Sequence, residues 1–402
     1  MVQSVGLIYT DKYQSYDFGP DHPLRPLRLK LTYSLMKSLG FFDHPSLKII
    51  EPRMASEEEI ERVHTQDYVN AVKKLSENPN NREITPYLYG LGPGDNPIFK
   101  GMYEASALVC GATISAADLV WDDNNDIIMG FNPAGGLHHA LKNKASGFCI
   151  FNDIAVAIKY LKHLKKDIRV AYLDIDCHHG DGVQWIFYDD PRVLTISFHQ
   201  SGKFLFPGTG NTNEIGEGLA LGGAINFPLL PGTSNKMFLK LFRYCVPRIL
   251  EEFSPDILFT QLGVDMHYDD PLTQMGLSLS VYRDIAQTIR SSVRDYCKNK
   301  WIAVGGGGYL MTVVPRAWTI FLAKMLEVEL ENALPDSWID EVKKLVTYEE
   351  TPYLLWDRND KAEIQLLSHP EIAKKMIDYN KGLRELCDTK YLPNIHNLLK
   401  VI

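Results

Sequence analysis

The segment LDIDCHHGDG, residues 173–182, constrains this chain more than any other feature because it concentrates acids and histidines at the end of an apolar run. The residues VAYLDID are typical of a strand, and alternate strand residues share a face, so Asp174, Asp176 and His178 should project to one side. Such a group would carry a large desolvation and repulsion cost unless a cation neutralised it. The segment therefore predicts half of a metal site.

A histidine pair in AGGLHHA, residues 134–140, is the second feature. A histidine pair alone is more often a hydrogen-bonded structural element, and the glycine run GGGGY at 305–309 alone more often marks a tight turn. Taken together with the acidic segment, the histidines His138 and His139 favour a metal-dependent hydrolase.

Composition limits the other classes of function. A chain of 402 residues with 45% hydrophobic residues is globular and can bury a large core, and a net charge of -8 argues against a nucleic-acid-binding surface. Six scattered cysteines without a CxxC pair indicate reduced thiols. With no signal-peptide pattern and no apolar run of about eighteen residues, we expect a soluble cytoplasmic protein without a membrane partner.

Short apolar runs alternate with longer periodic segments, a pattern that predicts an α/β fold with a parallel sheet and helices on both faces. Strands are predicted at 5–9, 126–130, 169–176, 192–198, 257–263 and 301–306, helices at 25–39, 101–120, 152–165, 235–253, 281–298 and 315–328, and loops at 90–97 and 206–218. We expect residues 1–330 to form the catalytic domain and residues 331–402 a helical or irregular C-terminal extension.

The polar clusters each follow a predicted strand, and ligands of open α/β sheets bind outside the carboxyl ends of the strands. The clusters should therefore meet at one rim of the sheet; they are His138 with His139, Asp176 with His178, Asp265, and Tyr309.

The residue types at this rim suggest roles for each cluster. Asp176, His178 and Asp265 would leave an open position on a catalytic zinc ion, although iron(II) or cobalt also suits this oxygen-rich set. The paired histidines could then act on water, with Asp174 and Asp181 fixing their tautomers. Tyr309 could donate to a developing oxyanion. The set predicts metal-assisted hydrolysis of a carbonyl; a two-metal ureohydrolase and a non-catalytic binding protein are the alternatives.

The chain resembles the zinc-dependent histone deacetylase family, of class I type and nearest to its bacterial and archaeal acetoin-utilisation branch, which has the arginase/deacetylase fold. The resemblance spans about three hundred residues and rests on motifs in the family's order. These are HPLRP (22–26), GDNPIF (94–99), GGLHHA (135–140), SGFCIFND (146–153), DIDCHHGDGV (174–183), FPGTG (206–210), QLGVD (261–265) and GGGGY (305–309).

The resemblance implies Asp176, His178 and Asp265 as metal ligands. It implies His139 with Asp181 as general base and then acid, His138 with Asp174 as an electrostatic pair, and Tyr309 as the group that binds the substrate carbonyl. The implied substrate-binding residues are Gly147, Phe148 and Phe206 in the tunnel wall, Asp95 at the rim, Arg28 at an inner acetate cavity, and Leu272. Structural potassium is implied at two sites, one at Asp174, Asp176, His178, Ser197 and Phe198, the other at Phe187, Asp190 and Val193.

The activity implied is removal of acetyl or other acyl groups from lysine side chains or a similar acylated amine. The substrate stays open between acetylated proteins, including metabolic enzymes, and small molecules such as acetylpolyamines. His267 and Asp269 depart from the usual pattern, and we expect them near the pocket mouth, where they would influence substrate choice. The sequence does not indicate an oligomeric state.

Overall fold

The protein forms one eight-stranded parallel sheet with helices on both faces, seen in a computed structural model that describes residues 4–357 and 361–402. The predicted fold class is confirmed. The strands are β1 Ser4–Ile8, β2 Leu47–Ile50, β3 Ile127–Asn132, β4 Val170–Asp174, β5 Val193–Gln200, β6 Ala224–Leu229, β7 Ile257–Gln261 and β8 Trp301–Val304.

The strand order is β2-β1-β3-β8-β7-β4-β5-β6, and every neighbouring pair is parallel. The four central strands, β3, β8, β7 and β4, are the ones followed by the predicted polar clusters. Residues of β4, β7 and β8 are buried throughout, as expected for strands covered on both faces, so their sequences are nearly continuous apolar runs. The sheet therefore brings the clusters to one rim, as predicted.

The helices include all six that the sequence pattern predicted, and the one predicted at 235–253 has those bounds, whereas the helices at Glu57–Glu61, Gln66–Glu77 and Asp181–Ile186 were not among the predicted ranges. They are α1 Leu27–Ser38, α2 Glu57–Glu61, α3 Gln66–Glu77, α4 Met102–Trp121, α5 Asp153–Leu164, α6 Asp181–Ile186, α7 Asn235–Phe253, α8 Leu279–Tyr296, α9 Val314–Met325, α10 Asp336–Leu345, α11 Lys361–Leu367, α12 Pro370–Leu386 and α13 Leu392–Leu399. N-cap hydrogen bonds fix the residue at which several helices begin. Asn152, for example, caps α5 by accepting from Ala155 N at 3.0 Å.

Two strands that the sequence pattern did not predict lie at the edges of the sheet. β2 has only four residues, and two of them are exposed. β6 contains Pro228, which cannot donate to a sheet ladder and is tolerated at an edge. Both strands lack the long apolar run by which the six inner strands were recognised.

Residues after 330 form helices that pack onto the α/β layers. The fully buried Trp338 of α10 donates its indole N–H to Leu31 O of α1 at 2.9 Å. At the other side, Tyr391 donates its hydroxyl to Asn226 O of β6 at 2.6 Å. No helix in the described parts of the chain is long and apolar enough to cross a membrane.

Candidate metal centre and catalytic site

Three side chains at the central rim form a compact donor set. Asp176 and His178 follow β4, and Asp265 follows β7, the neighbouring strand. All three are buried, and one ligand atom from each lies within 4.8 Å of the others. His178 Nδ1 lies 3.1 Å from Asp176 Oδ1 and 2.9 Å from Asp265 Oδ2. The donors predicted from the sequence therefore converge.

The electrostatics of this set favour a cation at its centre. Burial, followed by repulsion from Asp176, raises the pKa of Asp265 to about 7. Burial disfavours a charged imidazole, yet hydrogen bonds to both carboxylates raise the pKa of His178 to about 10. Two buried carboxylates and one imidazole suit a divalent ion with an open coordination position. The set is consistent with a divalent metal site.

The main chain approaches the ligand carboxylates closely. A Cβ added at Gly307 would lie 2.4 Å from Asp265 Oδ2 and 2.7 Å from Asp176 Oδ2. The N–H of Gly307 donates to Asp176 Oδ2 at 2.7 Å, and Gln261 Nε2 donates to the same oxygen at 2.6 Å. Cys177 N donates to Asp265 Oδ1 at 2.7 Å. Each carboxylate is thus oriented by donors outside the triad.

The two histidines of the pair each contact their own carboxylate. His138 Nδ1 lies 2.7 Å from Asp174 Oδ2, and His139 Nδ1 lies 2.6 Å from Asp181 Oδ1. Both pairs are buried. Because Nδ1 of each ring is engaged, Nε2 is the atom left for chemistry, and His138 Nε2 lies 3.9 Å from Asp176 Oδ2.

The electrostatic surroundings of His138 and His139 shift their pKa values in opposite directions. Burial opposes protonation of His138, but Asp174 and Asp176 raise its pKa to about 9. Burial and the neighbouring His138 lower the pKa of His139 to about 4. A divalent cation beside Asp176 would offset that carboxylate and lower the pKa of His138 from this value. The lowered pKa of His139 favours its neutral, proton-accepting form.

Tyr309 follows β8 and reaches the same rim. Its ring packs edge-on against Phe148, with centroids 5.9 Å apart. Burial, with smaller effects from Asp265 and Asp176, raises the pKa of its hydroxyl well above the ordinary value, so the phenol stays protonated. Asp270 accepts from Tyr309 N at 3.0 Å and from Leu272 N at 3.0 Å. Asp270 thereby connects the Tyr309 loop to the loop that carries Leu272.

The predicted tunnel residues surround His139. The ring of Phe206 lies 5.0 Å from the ring of His139, and a Cβ at Gly147 would lie 2.4 Å from His139 Cδ2. Phe148 has a φ of 69°, which is uncommon for a residue other than glycine, and Tyr16 donates its hydroxyl to Phe148 O at 2.9 Å.

On the outer side of the site, His22 contacts both Phe148 and Asp95. His22 packs against the ring of Phe148 at 4.5 Å and contacts Asp95 O at 3.2 Å, so the exposed Asp95 is connected through His22 to Phe148. Leu272, at 37% exposure, lies on the 264–273 loop.

Arg28 lies on α1, on the inner side of the site. Its Nη1 donates to Gly306 O at 2.6 Å and to Gly308 O at 3.1 Å, and its guanidinium lies over the ring of Trp318. A small cavity is lined by Arg28 together with His138, His139 and Tyr309. Arg28 thus lies beside the histidine pair and Tyr309, and its role at an inner cavity stays a prediction.

The residues implied for monovalent cations form two separate groups. Asp174 of β4 pairs with Ser197 of β5, and Ser197 Oγ contacts His199 Nδ1 at 2.8 Å. In the second group, Asp190 lies 2.8 Å from Lys162 Nζ and 3.7 Å from Lys159 Nζ. Two lysine ammonium groups therefore already engage the Asp190 carboxylate.

The expected position of His267 at a pocket mouth is not what the structure shows. Its ring is buried, and Nε2 contacts Asp357 Oδ2 at 3.1 Å. Asp269 is exposed on the same loop. The physical reason is that the loop turns after Asp265, so that His267 faces the C-terminal extension rather than the tunnel.

Sequence reasoning missed three residues that orient the site. Tyr172 donates to Asp174 Oδ2 at 2.6 Å, Gln261 holds Asp176, and Asp270 holds Tyr309. Gln261 was detectable, because a polar side chain in the apolar run ILFTQLG must find a buried partner. Asp270 had no such signal, since it lies in a polar loop.

Comparison with known proteins gives the family. The histone deacetylase domain model matches residues 22–325, which is most of the chain. The chain therefore belongs to the histone deacetylase family and contains a deacetylase-family domain with a buried Asp-His-Asp triad.

Two named relatives and one solved structure are similar to this chain over most of its length. Acetoin utilization protein AcuC of Bacillus subtilis (strain 168) is 43% identical over 338 residues, which are 84% of this chain and 86% of that protein. The AcuC protein of Staphylococcus xylosus is 38% identical over 354 residues, covering 86% of this chain and 89% of that protein. The crystal structure of an HDAC homologue from Aquifex aeolicus matches with a TM-score of 0.80 at 30% identity, covering 91% of this chain and 99% of that one. The resemblance to this family and to its acetoin-utilisation branch is confirmed.

Proposed function

We propose that this chain is a zinc-dependent hydrolase that removes acetyl or other acyl groups from lysine side chains or from a similar acylated amine. The observation that carries the proposal is the buried Asp176, His178 and Asp265 set beside two histidine–aspartate pairs. A divalent ion held by these donors supplies Lewis-acid activation of water and of the substrate carbonyl. Zinc is the ion we propose; iron(II) or cobalt(II) suits the same donors.

The histidine pair handles the protons in this proposal. His139, held by Asp181, accepts the proton of the attacking water through Nε2 and then gives it to the leaving amine. His138, held by Asp174, stabilises the charge that develops beside it. The bond that breaks is the amide C–N bond, and the products are a carboxylate and a free amine.

Tyr309 and the aromatic walls position the substrate. The protonated phenol donates to the oxygen of the tetrahedral intermediate. Phe148, Phe206 and Gly147 would line a narrow passage suited to a methylene chain that ends in an amide. Asp95 and Leu272 would contact the substrate outside this passage, and Arg28 would receive the released carboxylate on the inner side.

We also propose structural potassium ions, bound largely by backbone carbonyls, at the two groups described above. The catalytic domain would comprise residues 1–330, with residues 331–402 as an extension. Acetylated proteins and small acylated amines such as acetylpolyamines are the two substrate classes that suit the passage. An HDAC homologue of the same fold has been solved in complex with SAHA, so we expect SAHA to bind here and inhibit.

The test is hydrolysis of acetyl-lysine peptides and acetylpolyamines by enzyme that has been stripped with chelator and reconstituted with zinc. Activity should depend on the added metal. Tyr309→Phe should lower kcat by about a hundredfold, the effect of losing one oxyanion donor, with unchanged metal content. If Tyr309→Phe turns over at the wild-type rate, the role proposed for Tyr309 is wrong.

A further inference from the structure

A segment of the C-terminal extension, residues 349–357, contacts two loops of the candidate site; we name it the C-terminal strap. It lies beyond residues 22–325, the part of the chain that matches the family model. Main-chain bonds anchor it to the start of the extension, from Leu334 N to Tyr353 O at 3.1 Å and from Leu355 N to Asn332 O at 2.7 Å. The strap therefore has a fixed position from which its side chains reach the site.

Glu349 holds the turn that follows Tyr309. Its carboxylate accepts from Met311 N at 2.9 Å, from Thr312 N at 2.9 Å and from Thr312 Oγ1 at 2.7 Å. Helix α9 begins two residues later, and its own N-cap, Val313, provides no side-chain hydrogen bond. Glu349 thus holds, from a distant part of the chain, the two residues before the N-cap, and its negative charge lies near the N-terminus of the helix, where such charge is favourable.

Asp357 holds the loop that follows Asp265. Asp269 N donates to Nδ1 of His267 at 3.3 Å, so Nε2 is the ring nitrogen that donates to Asp357 Oδ2. The same carboxylate oxygen accepts from Leu279 N at 2.6 Å, at the start of α8. Hydrogen bonding by His267, against the effect of burial, keeps the pKa of Asp357 below its ordinary value.

Arg316 connects the contact made by Glu349 with the contact made by Asp357. Its buried guanidinium donates through Nε to Thr312 O at 2.6 Å and through Nη1 to Leu354 O at 3.2 Å, and Nη1 lies 3.5 Å from Asp357 Oδ1. The start of α9, the strap and the Asp265 loop are thereby connected by one set of polar contacts.

Hydrogen bonds to carboxylates join the strap to the two loops, while the buried Leu355 packs the strap against the core. A cavity of about 520 Å³ lies between the strap and the two loops, lined by residues of all three segments. Beside this cavity, Glu349 and Asp357 link the strap directly to the two loops by hydrogen bonds, so their carboxylates contribute to the rigidity of the loops.

We propose that Glu349 and Asp357 are positioning residues for the hydrolase, holding from the C-terminal side the two loops that carry Tyr309 and Asp265. The inference rests on the proposed function, since these loops affect a rate only if Tyr309 and Asp265 take part in the reaction. Neither carboxylate contacts the reacting atoms, and each acts through the loop that it binds.

The experiment compares full-length Glu349→Gln and Asp357→Asn with Glu350→Gln, a matched control that removes the neighbouring exposed charge. Glu349→Gln should lower kcat about tenfold, with KM within about twofold of wild type and metal content unchanged. Asp357→Asn should also weaken metal affinity about tenfold, because it frees the loop of a ligand. Hydrogen exchange at residues 305–313 and 264–270 should be faster in the corresponding variant and unchanged in Glu350→Gln.

A second control separates positioning from general destabilisation. Tyr391→Phe removes a buried hydrogen bond of the extension at the far edge strand, so it should lower Tm without lowering kcat. If the wild type is active and both strap variants match Glu350→Gln in kcat and exchange, the inference is overturned while the proposed function stands. If the wild type hydrolyses none of the substrates, the proposed function fails, and unchanged hydrogen exchange in both variants would overturn the inference separately.

Discussion

Gly307 has no space for a side chain, and replacing it with alanine should weaken metal binding. The added Cβ would lie 2.4 Å from Asp265 Oδ2 and 2.7 Å from Asp176 Oδ2, whereas ordinary van der Waals contact begins at 3.4 Å. A ligand oxygen must therefore move by about 1 Å, a displacement large enough to affect chemistry. Neither carboxylate can withdraw freely, because Gln261 Nε2 holds Asp176 and Cys177 N holds Asp265.

Disturbance of the groups that orient a ligand typically costs about 10- to 100-fold in metal affinity, and we expect Gly307→Ala to fall in this range. The assay is competition for zinc with a chelator of known affinity. Gly382→Ala is the matched control, because nothing lies within 4 Å of the added Cβ and its position within α12 favours alanine by up to about 1 kcal/mol. Wild-type zinc affinity in Gly307→Ala would refute the crowding argument.

Two further predictions concern the tunnel and the core. Phe206→Ala should raise KM about tenfold with unchanged metal content, because the Phe206 ring packs against His139 and His178. Phe204→Ala changes the more exposed phenylalanine of the same loop and should not alter KM. Equal KM values in the two variants would contradict the tunnel assignment. His64 is buried, its Nε2 accepts from Asn152 N, and burial lowers its pKa to about 4. As pH falls, the unfolded chain therefore binds a proton at this residue before the folded chain does. The stability due to neutral His64 is complete above about pH 6.5 and is lost as pH falls toward 4. In urea unfolding, His64→Gln should flatten the pH dependence in that window by up to about 1.4 kcal/mol per pH unit, and an unchanged slope would show that His64 is not the group responsible.

The sequence predicted the centre of the fold better than its edges, for a physical reason. The inner strands are buried on both faces and appear as apolar runs, whereas β2 is half exposed and β6 contains Pro228. The paired histidines and the triad could be located because each follows an inner strand, and parallel strands place their carboxyl ends at one rim.

The residues that support the site were harder to predict. Asp270 and Glu349 act on backbone N–H groups in loops, and a loop's path is not encoded in a periodic pattern. The position of His267 was wrongly anticipated for the same reason, since its partner, Asp357, lies 90 residues away in the extension. Contacts of that kind depend on tertiary folding rather than on local sequence.

Metal content tests the central claim most directly. Purified wild-type protein, reconstituted with zinc and freed of excess, should hold one divalent ion per chain, and Asp265→Ala, which removes one of the three donors, should hold none and have no activity. Activity lost to a chelator should return when zinc is added back to the wild type. Two ions per chain, or a full complement of metal in Asp265→Ala, would contradict the single-ion site on which the proposed reaction depends.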